Sequence, residues 1–203
     1  MVKGTANNTA LNSSHTSKPA KTPLGWRDSA HHFGRISRAL HWLTAALVLF
    51  QFIVVLAWRA MGENTLTVFL SSIGPHGSLG LLILLVTLAR LGWALSNRQH
   101  RPLAPPGISG QIARIVHITF YGLLLWLPAF GLLRQYGRGG ALQFYGLELL
   151  PEAERNITWM MAPAGVLHSP LSWLLFGLII GHIVIALVHR LWFRDSIWAR
   201  LMG

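Results

Sequence analysis

Residues Leu167 to Phe193 read L-H-S-P-L-S-W-L-L-F-G-L-I-I-G-H-I-V-I-A-L-V-H-R-L-W-F. The run is longer than the roughly 20 apolar residues that cross a bilayer. Three histidines interrupt it: His168, His182 and His189. An ionisable side chain is costly inside a membrane, so it faces the bundle interior and has a function there. From His168 to His182, at about 100° and 1.5 Å per residue, the helix turns back to within roughly 40° of the same face and rises roughly 21 Å. One helix therefore offers two imidazoles to one side of the membrane interior, one near each surface. Haem iron is the usual intramembrane target of paired histidines. Ser169 fits an N-cap and Pro170 a first helical residue, which places His168 at the edge of the helix.

Composition agrees with a membrane protein. The 203 residues are 52% hydrophobic and only 11% charged, with nine tryptophans and a mean hydropathy of +0.46. Soluble domains carry about 25% charged residues. The net charge of +11 is read through topology, because basic loops orient membrane helices. Lipid is the expected surrounding, and nucleic acid is not an expected partner. The sequence has no cysteine. That excludes disulfides, thiolate-ligated haem, cysteine-held iron–sulfur clusters and C-x-x-C-H haem attachment. Residues 1–30 are polar and basic with no apolar stretch, so they read as a disordered cytoplasmic tail and not a signal peptide. His15, His31 and His32 are expected to be solvated or interfacial. Residues 31–203 read as one membrane domain.

Four spans are expected, at about 36–58, 76–95, 112–133 and 167–193, giving an all-α integral membrane four-helix bundle. Arg59 to Pro75 reads as a connection of mixed polarity, and Arg134 to Ala164 as the longest loop. With four spans the two termini share a side with the second loop. That side holds Lys3, Lys18, Lys21, Arg27, Arg35, Arg38, Arg90, Arg98, Arg101, Arg114, Arg190, Arg194 and Arg200. The other holds Arg59, Arg134, Arg138 and Arg155, with Glu63, Glu148, Glu152 and Glu154. Thirteen basic residues against four place both termini in the cytoplasm.

Depth then follows without further assumption. His41 begins the first span and His182 ends the fourth, both near the cytoplasmic surface. His76 begins the second span and His168 the fourth, both near the outer surface. Two bis-imidazole sites at opposite faces describe a diheme b-type electron wire. His117, in the third span, reads as non-ligating, close to a propionate or a quinone headgroup. His189, seven residues beyond His182, reads as interfacial, with proton delivery to a quinone as its second reading. Gly77, Gly80, Gly131, Gly177 and Gly181 read first as helix-packing positions, and second as places where a flat macrocycle approaches the backbone. Pro128 is expected to kink the third span. Arg138, in Y-G-R-G-G, is a candidate for pairing with haem propionates or attracting an anion.

R-A-L-H-W-L-T in the first span, the His-Gly opening of the second, G-L-L-R-Q-Y-G-R-G after the third and G-H-I-V-I-A-L-V-H-R-L-W-F-R-D at the end resemble the bacterial cytochrome b561 family. The resemblance covers about residues 33 to 203. It is greatest to the four-helix diheme cytochromes that oxidise superoxide and reduce ubiquinone. It implies a multi-pass protein of the bacterial inner membrane with two haem b per chain. His41 and His182 would ligate the cytoplasmic-side iron, and His76 and His168 the periplasmic-side iron. The implied reaction is a superoxide:quinone oxidoreduction, with superoxide or another one-electron donor at the outer face and ubiquinone as acceptor. Arg138 and Arg155 would attract the anion, and His189 would protonate the quinone. The alternative is a cytochrome b membrane anchor and electron conduit for a soluble dehydrogenase or hydrogenase partner.

Overall fold

A computed structural model describes residues 25–102 and 106–193. Residues 1–24 of the tail expected over 1–30, with His15, Lys3, Lys18 and Lys21, lie outside the described residues, as do Arg194 and Arg200.

Helix α1 (Arg35–Met61) opens after Gly34 and stops at Gly62, whose φ of 65° suits glycine. Residues just before it are tied down. Asp28 is buried, accepts the Gly34 amide at 2.8 Å and pairs with Arg101 Nε at 3.0 Å. The short helix α2 (Thr65–Ile73) begins with a reciprocal Asn64–Thr67 capping box. The Arg59–Pro75 connection therefore contains a helix that composition alone did not reveal. Helix α3 (His76–Ser96) starts directly after Pro75. Helix α4 (Ile108–Gly137) carries Pro128 inside it and is longer at both ends than the sequence indicates.

The expected long loop is mostly structured. Strands β1 (Leu142–Phe144) and β2 (Leu147–Leu150) pair antiparallel around a Tyr145–Gly146 turn with φ of 48° and 86°. Two consecutive positive φ values are those of a tight hairpin turn. Ser78 in the first turn of α3 pins this hairpin: its hydroxyl donates to Gln143 O at 3.2 Å and accepts the Tyr145 amide at 3.1 Å.

Helix α5 (Thr158–Val188) is the largest correction. It begins nine residues before the expected span, with Pro163 and Pro170 both inside it, and runs into a π-helical turn over His189–Phe193. Ser169 therefore does not cap a helix, and His168 lies three turns within one. Each proline frees the carbonyl four residues earlier, Trp159 for Pro163 and Val166 for Pro170, a loss that membrane helices tolerate. Ser172 Oγ donates to the His168 carbonyl at 2.6 Å.

Four helices, α1, α2–α3, α4 and α5, are long and apolar enough to span a bilayer. α1 packs on α3, α3 on α4 and α4 on α5. α1 and α5 meet through long side chains, with Phe52 5.1 Å from Phe176 and Arg59 over Trp173. The core is Val48, Leu79, Ile83, Leu123, Leu124, Leu127 and Leu175, at least one from each span. Apolar transfer does not hold these helices together, since lipid is as apolar as leucine; close packing does. Thr44 and Thr87, almost wholly buried, are the small residues that permit it. Only 6% of the most apolar window of α5 is buried by protein. A helix hydrophobic all round and so little covered keeps much of its surface for lipid.

All the described helices put α1's start, α3's end, α4's start and α5's end on one side. This is the termini end. The hairpin lies at the other, the hairpin end.

Candidate functional site

At the hairpin end, α3 and α5 bring two imidazoles together. The His76 and His168 ring centroids are 5.9 Å apart and the rings are inclined at 64°. Two rings sharing one metal, with metal–nitrogen bonds of about 2 Å each, place their centroids about 6 Å apart. The pair already stands at that spacing. His168 Nδ1 is buried without a hydrogen-bond partner. Gln51 on α1 reaches His76, its Nε2 lying 2.5 Å from Nδ1, while Gln51 Oε1 is buried and unpartnered.

Both rings line a cavity of about 910 Å³ between the helices. Such a volume suits a large cofactor, since ligand sites run to about 1,000 Å³. Gly77, Gly80, Gly131 and Gly165 are on its wall. A Cβ at any of these would meet no protein atom within 4 Å. The helix-packing reading of Gly77, Gly80 and Gly131 is therefore wrong: no neighbouring helix needs their small size. The same open space surrounds Gly177 and Gly181. The residues fit a flat macrocycle held between two imidazoles.

Arg59, Arg134 and Arg138 also line this cavity, under a roof that includes Gln143 and Tyr145. Arg155 does not join them. Its guanidinium lies 4.3 Å over the Tyr136 ring, in a separate apolar pocket of about 350 Å³. Geometry thus unites Arg138 with the histidine pair and parts it from Arg155.

At the termini end the arrangement is a cluster and not a simple pair. The His182 ring packs edge-on against His117, centroids 5.8 Å apart, and against Phe120 at 5.5 Å. His41 lies within electrostatic reach of both histidines. It packs against Trp42, and Arg90 Nη2 is 3.0 Å from its Nδ1. Trp93 Nε1 donates to Ser37 Oγ at 3.0 Å, fixing α1 against α3 one turn away. His189 begins the π-helical turn beyond this cluster. His31 and His32 are exposed in the turn before α1.

Sequence reading did not single out Gln51, Arg59, Arg90 or Arg134 as site residues. Arg90 had a signal: it is a cation inside an apolar run. Gln51 had a weaker one, as a lone amide in a span.

Residues 32–203 match the family described as prokaryotic cytochrome b561. "Cytochrome b561 homolog 2" of Escherichia coli (strain K12) is 25% identical over 181 residues, covering 89% of this chain and 96% of that one. "Probable superoxide oxidase CybB" of Yersinia pestis is 26% identical over 174 residues, covering 80% and 91%. Four apolar helices with facing imidazoles at both ends, matched by one family over nearly the whole chain, identify a multi-pass bacterial inner-membrane electron carrier that binds b-type haem: the chain belongs to the prokaryotic cytochrome b561 family.

Proposed function

We propose that this chain holds two b haems, one at each end of α5, and carries electrons from superoxide at the periplasmic face to ubiquinone. The observation that carries the reading is that α5 meets imidazoles at both ends: His168 stands 5.9 Å from His76 at one, and His182 joins the His41 and His117 cluster at the other. His76 and His168 would hold the periplasmic-side haem. His41 and His182 would hold the cytoplasmic-side haem, with His117 beside it. A haem held by two imidazoles would supply single-electron exchange rather than oxygen binding.

The protein's own groups do the rest. Arg59, Arg134 and Arg138 put three cations on the wall of the hairpin-end cavity, where they draw in an anion. His189, at the start of the π-helical turn, is the candidate for passing protons to the quinone, whose reduction to quinol consumes two. Two superoxide ions, each losing one electron to leave as dioxygen, balance one ubiquinone taking two electrons and two protons. The "Probable superoxide oxidase CybB" similarity supports this donor. The excess of basic residues at the termini end supports a cytoplasmic position for both termini.

The test is haem per chain in detergent, with a reduced-minus-oxidised spectrum, followed by stopped-flow mixing with superoxide and a ubiquinone. Two low-spin b haems and quinone-dependent loss of superoxide are expected. One haem per chain overturns the diheme reading. Two haems without superoxide oxidation, in a chain that co-purifies with a soluble dehydrogenase or hydrogenase, make it a conduit instead.

A further inference from the structure

Arg90 lies in the apolar span of α3, less than two turns before its end at Ser96, and is partly buried. A guanidinium there is costly unless an anion meets it. Its neighbours are neutral: His41 Nδ1 at 3.0 Å and the Tyr121 ring, 5.5 Å from the guanidinium carbon. The described acidic residues are elsewhere. Asp28 is engaged by Arg101, and Glu63, Glu148, Glu152 and Glu154 belong to the hairpin end. Among the described residues, nothing supplies the negative charge that Arg90 requires.

The contact with His41 also conflicts with ligation. Guanidinium only donates, so His41 Nδ1 must accept. A neutral imidazole bound to metal through Nε2 carries its hydrogen on Nδ1 and can only donate there. The Arg90–His41 bond and a neutral, Nε2-ligating His41 exclude each other. When His41 ligates, Arg90 must turn to another acceptor.

We propose that Arg90 is the carboxylate anchor of the termini-end haem: with His41 as a ligand, its guanidinium pairs with a propionate carboxylate in place of His41 Nδ1. The inference rests on the two-haem reading. The propionates are the haem's peripheral carboxylates, and the planar guanidinium fork matches a carboxylate in two parallel hydrogen bonds. Arg90 is then a positioning residue. Its charge favours the reduced, more electron-rich haem.

The experiment is a redox titration of the full-length protein, with haem per chain, for wild type, Arg90→Gln and Arg90→Lys. Wild type should resolve into two components. Arg90→Gln should move one component to lower potential, or lose that haem, and leave the other in place. Arg90→Lys keeps the charge but not the fork. It should hold the potential close to wild type while releasing one haem several-fold faster, and it remains available if the glutamine variant does not accumulate. A general structural defect would disturb both components together. Two unmoved potentials in Arg90→Gln, or haem release from Arg90→Lys at the wild-type rate, overturn the inference. A wild type with a single component instead removes the two-haem reading on which it rests.

Discussion

Gln51 gives the hairpin-end site a test at single-atom scale. Its amide nitrogen faces His76 Nδ1 while its oxygen is buried without a partner. A half-turn of the carboxamide exchanges the two, and the oxygen then accepts the Nδ1 hydrogen of a ligating His76. Groups that orient a metal-bound imidazole in this way are worth about 10- to 100-fold in affinity. Gln51→Leu should therefore release one haem about 10- to 100-fold faster and leave the other unchanged. Equal release rates from wild type and variant would show that Gln51 only bridges helices. At the termini end the choice lies between two rings. His117 is the one packed on His182. His41, however, stands as far inside the start of α1 as His182 does inside the end of α5, whereas His117 is roughly a turn deeper in α4. His41→Ala should halve the haem per chain and His117→Ala should keep it at two. The reverse result would make His117 the ligand. The histidines were legible because an imidazole in an apolar run stands out. Gln51 was not, since a membrane amide usually just bonds a neighbouring helix. Arg90 was counted among the cations that set topology, which hid its burial beside His41.

At the scale of elements, α5 shows why span boundaries were read poorly and span centres well. Hydropathy marks the 20 residues that sit in lipid, but helix ends depend on what the termini touch. The Ser169–Pro170 pair has the chemistry of a helix start, yet α5 begins at Thr158 because the Gly137 carbonyl accepts the Ile157 amide at 2.9 Å and anchors the helix entry to the end of α4. Pro170 then removes one helical bond from the interior, leaving the Val166 carbonyl without its usual donor. Its ring crowds that carbonyl, which favours a bend in the turn that carries His168. In an ordinary helix interior proline costs about 3 kcal/mol relative to alanine. Pro170→Ala should accordingly raise the melting temperature of the haem-free protein. It should also straighten α5, swing His168 from its 5.9 Å spacing with His76, and lower haem retention at that end. Stability and cofactor binding are then expected to move in opposite directions. If retention and both potentials match wild type, the bend does not aim His168.

At the scale of the whole molecule, net charge does not explain attraction of an anion to the hairpin end. Four arginines there face four glutamates, so the far field is close to neutral. The difference lies in placement. Arg59, Arg134 and Arg138 are on the cavity wall, and no glutamate is among its lining residues. A cavity walled by low-dielectric helices focuses that local field onto a small ion. Steering of this kind is short-ranged and sensitive to salt, because the screening length shrinks from about 30 Å at 0.01 M to about 8 Å at 0.15 M. The second-order rate with superoxide should therefore fall over that range, while an uncharged one-electron donor shows a flat profile. Arg138→Gln should flatten the superoxide profile. Arg155→Gln should leave it steep, since Arg155 is stacked on Tyr136 outside the cavity. Sequence alone treated these two arginines as equals, because loop cations carry no mark of which cavity they face. Stopped-flow rates against ionic strength for the two variants decide the matter: equal slopes would mean that the field of the whole face, and not the cavity wall, guides the anion.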